Sequence, residues 1–277
     1  GDVAALVIEP IQGKGVHIAD PSYYRQAQQL CRTHQTLFII DEVQTGFGRT
    51  GKWFAYHHWD LTPDIVTCAK ALSGGFVPCG AILYHKDIYK KVFRGMEECV
   101  VHSNTFGRNT LAMVAGLATL DILEEEGLIA NAAKRGDAIM AGLKALMPRF
   151  EMMRAVRGMG LMIAIEFGEP KSLGLKAGWK LVHAVNGGLF GQMVVVPLMR
   201  DHRILTQVAG HGVDIVKLLP PLIIDESHVA RFLAAFEQVM VECHRFPGSA
   251  WKVGKDLAIA ATKASVGAVR EPPLHQS

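Results

Sequence analysis

The sequence predicts an α/β fold built on a mostly parallel sheet, and three observations carry that expectation. Short apolar runs rich in strand formers recur at residues 4–8, 36–40 and 64–68. A helical or turn-rich stretch separates each run from the next. The charged residues at the ends of the later runs, Asp41 and Lys70, fall where open α/β sheets bind ligands, at the carboxyl ends of strands.

The 277 residues allow a large core and one or two domains. A formal net charge of +3 is too small to argue for nucleic acid or an acidic surface as partner. No apolar run is long enough to span a membrane, and no signal-peptide pattern is present. The five cysteines, Cys31, Cys68, Cys79, Cys99 and Cys243, are odd in number and lack paired metal spacing. They read as reduced thiols of a cytoplasmic protein. His57 and His58 are adjacent and unframed by further ligands, so no metal site is expected.

Residues 4–8 read as a buried parallel strand, which Glu9-Pro10-Ile11-Gln12-Gly13 ends as a loop. Asp20 and Pro21 suit the N-cap and first turn of a helix running to about His34. Residues 36–40 form the strand that delivers Asp41 and Glu42 into a turn-rich segment ending at Gly51. Trp53, Phe54, Tyr56 and Trp59 read as core or interface packing. Residues 64–68 lead to Lys70, which Ala69 and Ala71 flank; apolar surroundings would favour the neutral, nucleophilic amine. Residues 77–84 read as a further strand, and a polar loop at 102–107 precedes a helix over 109–126. A second helix over 129–147 leads into a small domain. There, two strands flank a glycine turn within 156–166, and a helix over 176–186 stops at Gly187 and Gly188. Residues 193–196, 203–208 and 213–219 read as strands. Asp225 caps a helix over 226–243 with an apolar stripe of Val229, Phe232, Leu233, Phe236 and Val239. The tail looks disordered over its last eight or so residues, and no internal repeat is evident.

Six motifs stand in one order. They are Ile40-Asp41-Glu42-Val43-Gln44-Thr45-Gly46-Phe47-Gly48-Arg49-Thr50-Gly51, Pro63-Asp64-Ile65, Ala69-Lys70-Ala71-Leu72-Ser73-Gly74-Gly75, Asn104-Thr105-Phe106-Gly107, Arg157-Gly158-Met159-Gly160 and Pro220-Pro221-Leu222. Together they closely resemble the class III aminotransferases of the ornithine, putrescine and ω-amino type, over roughly residues 3–245. The resemblance implies pyridoxal 5'-phosphate as cofactor and the fold type I architecture: a mostly parallel sheet in the large domain and a small α+β C-terminal domain. The expected division is residues 1–147 in the cofactor domain, 148–245 in the small domain and 246–277 as a tail. Lys70 then corresponds to the Schiff-base lysine, Asp41 to the partner of the pyridine nitrogen, Val43 to the residue on the ring face and Gln44 to the side chain on the ring hydroxyl. Thr105 corresponds to a threonine that reaches the phosphate of the neighbouring subunit's cofactor, which implies a homodimer with shared sites. Glu9 belongs to the Glu-Pro motif at the active-site edge.

Set against the family, the chain reads as a fragment of about the C-terminal two-thirds. It lacks the loop that holds most of the cofactor phosphate and the aromatic that stacks on the ring. Arg108 and Thr110 stand where the family often has two glycines and a proline. Lys217 stands where members that handle α-amino acids commonly place a carboxylate-binding arginine, and Lys14 where some carry a glutamate that holds that arginine aside. The expected function is transfer of an amino group between an amine or amino-acid donor and a keto acid, aldehyde or ketone, with at least one substrate lacking an α-carboxylate. An aminomutase on the same scaffold and a truncated, non-catalytic homologue are the alternatives.

Overall fold

The computed structural model describes residues 2–102, 104–184, 187–248, 250–251 and 254. The chain divides into two compact units. The first comprises Gly1–Asp137, Gly158–Met162 and Pro220–Ile224; the second comprises Ala138–Arg157, Ile163–Leu219 and Asp225–Ser277.

In the first unit, β1 (Ala5–Ile8), β2 (Leu37–Asp41), β3 (Ile65–Cys68) and β4 (Ala81–Tyr84) form one sheet in that order. β1, β2 and β3 run parallel, and β4 returns antiparallel to β3. α1 (Pro21–Thr33) is the crossover between β1 and β2. Asp20 caps it by accepting from Ser22 N at 2.8 Å, and Pro21 occupies the first turn, where its missing N–H costs nothing. Asp64 extends the β2–β3 pairing beyond the strand: its N donates to Phe38 O and its Oδ2 accepts from Phe38 N, both at 2.8 Å. The sheet is followed by α2 (Lys86–Val92), α3 (Thr110–Glu125) and α4 (Leu128–Leu146). A buried cluster of Phe47, Val66, Cys68, Leu123 and Leu128 ties the sheet to the helices. β1 is less buried than its apolar run suggests, because it lies at an edge of the sheet and leaves Val7 60% exposed.

In the second unit, β5 (Met153–Met159), β6 (Met162–Phe167), β7 (Gln207–Val208) and β8 (Ile215–Leu218) form a sheet in the order β5-β6-β8-β7. Between β6 and β7 lie α5 (Leu173–His183) and α6 (Leu189–His202), and α7 (Glu226–Cys243) closes the unit. Asp225 begins α7 with a capping box, accepting from His228 N at 3.0 Å while the His228 ring faces the Asp225 N–H.

Two strand expectations fail here. Residues 193–196 lie inside α6, and only Gln207 and Val208 of 203–208 are extended. The β-branched Val194-Val195-Val196 run suggested a strand, but burial follows the helical period: Leu189, Phe190, Met193, Val194, Pro197 and Leu198 are all inside. Tertiary burial of that stripe outweighs both the β-branched residues and Pro197 within the helix. The start of the expected tail packs into the unit, with Trp251 buried and its Nε1 donating to Cys243 O at 3.0 Å. Residues beyond 254, Asn186 at the expected helix end and Ser103 in the polar loop lie outside the described residues. Among the described residues, no helix is long and apolar enough to cross a membrane.

Candidate active site

The carboxyl ends of β1, β2 and β3 gather most of the residues that the sequence singled out. Asp41 is the last residue of β2 and pairs in register with Thr67 of β3. It is half-buried, and its Oδ1 accepts from Val43 N at 2.9 Å. Glu9 follows β1, and its Oε2 accepts from Gly13 N at 2.7 Å. A side chain at Gly13 would come within 3.0 Å of Glu9 Oε2 and 3.1 Å of both amide atoms of Gln44. The Glu9 carboxylate and the Gln44 amide therefore meet over Gly13, and only a residue without Cβ fits comfortably between them. Asp41 and Glu9 also line a cavity of about 570 Å³ with Gln12, His17, Tyr23 and Tyr24. Lys14 is exposed on the same loop.

Lys70 stands just beyond β3 at the head of a short 3-10 turn, Lys70–Ser73, which packs against α3. Its φ of 46° lies in the left-handed region, where a residue with a Cβ is strained. Gly74 and Gly75 follow with φ of 63° and 86°, and Ser73 Oγ closes their turn by donating to Val77 O. The expected apolar surroundings are not found, because Lys70 is exposed while Ala71 and Leu72 pack on the core. Their burial turns the apolar side of the turn inward and leaves the lysine outside. Thr105 is exposed in the turn before α3, where Asn109 is the residue that caps the helix, accepting from Ala112 N at 2.9 Å. Among the described residues, no hydrogen bond joins Lys70 or Thr105 to Asp41, Gln44 or Glu9. Lys217 belongs to the second unit, where every residue of β8 is buried and Lys217 itself is 7% exposed.

Two buried charged residues beside the site escaped the sequence reading. Glu42 is fully buried at 0% exposure, next to Asp41. Its Oε2 accepts from Thr45 Oγ1 at 2.5 Å and Ala55 N at 3.0 Å, and its Oε1 accepts from Tyr56 N at 2.9 Å. Burial pushes its carboxyl up from the usual carboxylate range, and those hydrogen bonds oppose the push. Cys68, also buried and facing the Glu42 and Asp41 charges, is pushed up to about 12, chiefly by burial. Arg49 is the second. Its Nη1 donates to Pro220 O at 2.5 Å and Leu161 O at 3.2 Å, and Leu161 N donates back to Arg49 O at 2.9 Å. Burial lowers its guanidinium to about 10. Gly51 and Gly160 allow this close approach. A Cβ at Gly160 would lie 2.4 Å from the carbonyl carbon of Thr50, and one at Gly51 would lie 2.8 Å from Ala133 Cβ. The aromatic residues serve as packing: Phe54 stacks on Tyr56 with ring centroids 5.7 Å apart, and Trp59 stacks on Tyr24 at 4.2 Å.

The donor set suits the ring end of pyridoxal phosphate. It offers a carboxylate for a protonated ring nitrogen in Asp41, which lines a cavity of small-molecule size, an amide for a ring hydroxyl in Gln44 and a primary amine for an aldehyde in Lys70.

Comparison with known proteins agrees with this chemistry. The chain is 40% identical to the mitochondrial ornithine aminotransferase of Rattus norvegicus, over 82% of this chain and 46% of that protein. It is 32% identical to the aminotransferase PigE of Serratia sp., over 88% of this chain and 32% of that protein. The chain thus spans less than half the length of either relative. Among solved structures, the ornithine aminotransferase of Toxoplasma gondii, described with partial occupancy of pyridoxal phosphate at its active site, superposes with a TM-score of 0.73. It is 29% identical, over 87% of this chain and 51% of that one. The sequence model of the class III aminotransferases matches residues 1–240, and the chain belongs to that family.

Proposed function

We propose that this protein is a pyridoxal-phosphate-dependent aminotransferase, exchanging an amino group between an amine or amino-acid donor and a keto acid, aldehyde or ketone. The observation that carries the proposal is that Glu9 stands with Gln44 over Gly13 and with Asp41 along one cavity at the strand ends, with Lys70 following the strand that pairs with Asp41's own. When bound, the cofactor supplies an electrophilic aldehyde and a ring that accepts electron density. The Asp41 carboxylate keeps a proton on the ring nitrogen, and its bond from Val43 N fixes its direction. Gln44 orients the ring through its hydroxyl, and Val43 packs on the ring face. Lys70 Nζ would hold the cofactor's aldehyde carbon until the donor's amine displaces it, and the freed amine would then carry the proton from the donor's carbon to the cofactor side. Such positioned proton transfer contributes roughly 10²- to 10⁴-fold.

The remaining parts of the proposal concern partner, substrate and place. Thr105, exposed ahead of α3, serves the phosphate of a second subunit, so the working unit is a homodimer. Lys217 replaces a planar, two-pronged carboxylate grip by a point charge, and Lys14 changes with it. At least one substrate therefore lacks an α-carboxylate: a diamine, an ω-amino compound, or an aliphatic aldehyde or ketone. The five free thiols suit the cytoplasm. The exposure of Lys70 favours a second reading for the 277 residues taken alone, as a non-catalytic stretch. Turnover by those residues alone overturns that second reading.

The test of the main reading is borohydride reduction of the intact protein, followed by peptide mapping. A pyridoxyl label on Lys70 is expected. A label on another lysine, or no yellow cofactor, refutes the assignment.

A further inference from the structure

Glu42 is a carboxylate at 0% exposure with no cation among its described partners. Burying a charge-bearing group is costly unless hydrogen bonds compensate it, and here all three donors come from one loop. Thr45 lies just after Glu42, and Ala55 and Tyr56 lie at the far end of the turn-rich segment. Through its side chain the residue therefore closes the segment 43–56 upon itself. Its backbone fixes that closed loop to the sheet: Glu42 N donates to Thr67 O of β3 at 2.9 Å, and Glu42 O accepts from Gly46 N at 2.9 Å. A Cβ at Gly46 would come 2.9 Å from Glu42 O and 3.3 Å from the Phe54 ring, so the first turn closes tightly over the Glu42 backbone. Asp41 precedes this hub, and Val43 and Gln44 form its first turn.

We propose that Glu42 is a positioning residue, the buried hub through which Asp41, Val43 and Gln44 are held in place for the cofactor ring. It touches neither cofactor nor substrate and acts through the loop that it closes. The proposal rests on the pyridoxal-phosphate reading above. Glutamine at this position cannot replace the carboxylate. Whichever way its amide turns, its NH₂ faces at least one of the Ala55 and Tyr56 N–H groups, donor against donor.

The test compares wild type, Glu42→Gln, Thr45→Val and Thr45→Ser in the intact protein. Three quantities are measured: the dissociation constant for pyridoxal phosphate, the pH at which the bound cofactor's visible absorbance titrates, and amide hydrogen exchange at Ala55 and Tyr56 in the cofactor-free protein. Glu42→Gln is expected to exchange faster at both amides, to weaken cofactor binding at least about tenfold and to shift the absorbance titration. Thr45→Val is expected to move all three in the same direction by less, and Thr45→Ser to restore them. Faster exchange with unchanged cofactor affinity and titration would overturn the proposal, since it would show a merely structural group. Unchanged exchange would overturn it too. If Glu42→Gln does not fold, the Thr45 pair decides by the same criteria. A wild-type protein that takes up no pyridoxal phosphate overturns the aminotransferase reading and this proposal together. A loaded wild type with indifferent variants overturns this proposal alone.

Discussion

Asp41 does two jobs that substitution can separate. Its Oδ1 holds the Val43 N–H at 2.9 Å, and its charge is proposed to hold the protonated ring nitrogen. Asn keeps an oxygen for Val43 and removes the charge; Ala removes both. The lost hydrogen bond is worth about 0.5–1.5 kcal/mol. Asp41→Ala should therefore lower the melting temperature of the cofactor-free protein by about 2–4 °C for each kcal/mol lost. Asp41→Asn should melt close to wild type. Removing one member of a fully buried charge pair costs about 3–5 kcal/mol. Asp41 is only half-buried, so solvent screening reduces that to about 2–3 kcal/mol. At 1.4 kcal/mol per decade, the loss is roughly 30- to 150-fold in cofactor affinity, and both variants should show it. Titration of cofactor into the cofactor-free protein, followed by absorbance, measures it beside steady-state turnover. Wild-type affinity and turnover in Asp41→Asn would refute the ring-nitrogen assignment, whatever Asp41→Ala does.

Three further outcomes are expected. Arg49→Met should lower stability to chemical denaturation by at least about 1.5–3 kcal/mol, the value of one charged hydrogen bond, since Leu161 O and Pro220 O both lose their donor; an unchanged midpoint would contradict this role. Mixing Lys70→Ala and Thr105→Ala proteins under subunit exchange should regenerate one intact site per heterodimer, and a mixture no more active than its parents would refute the shared site. In a donor panel at equal concentration, a terminal diamine should be preferred to ornithine and glutamate; preference for the α-amino acids that persists in Lys217→Ala would show that the missing arginine has no such meaning.

The sheet and the residues at its strand ends were legible because short apolar runs and turn residues are local signals. β1, β2 and β3 fall within a residue or two of the apolar runs, and Asp41 and Lys70 follow from where those runs end. The valine run of α6 was misread because three β-branched residues are a propensity signal, while the stripe that buries them becomes visible only over the full helix. Lys70's exposure was not legible either. Flanking alanines describe the chain's covalent neighbours, whereas solvation depends on which elements cover the turn. Glu42 and Arg49 were missed for a related reason. A charged residue in a turn-rich stretch resembles a solvated one until the loop's own amides, or distant carbonyls, are seen to surround it.

That last point explains why motifs so far apart in sequence belong together. Arg157-Gly158-Met159-Gly160 and Pro220-Pro221-Leu222 contribute no catalytic group to the proposed reaction. Yet Gly160, Leu161 and Pro220 meet the Gly48–Gly51 loop through the Arg49 hydrogen bonds and through contacts that leave no room for a Cβ at Gly160. Leu222 also comes within 3.3 Å of where a Gly48 Cβ would stand, and Asn131 Nδ2 holds its carbonyl at 2.7 Å. The motif residues therefore divide by what they do. In the proposed reaction Asp41, Gln44 and Lys70 offer groups to the cofactor. Glu42 closes the 43–56 loop from within, and Arg49 with the glycines holds that loop from outside. A site built on loops needs such support, because a loop alone does not hold reacting groups to within a fraction of an ångström.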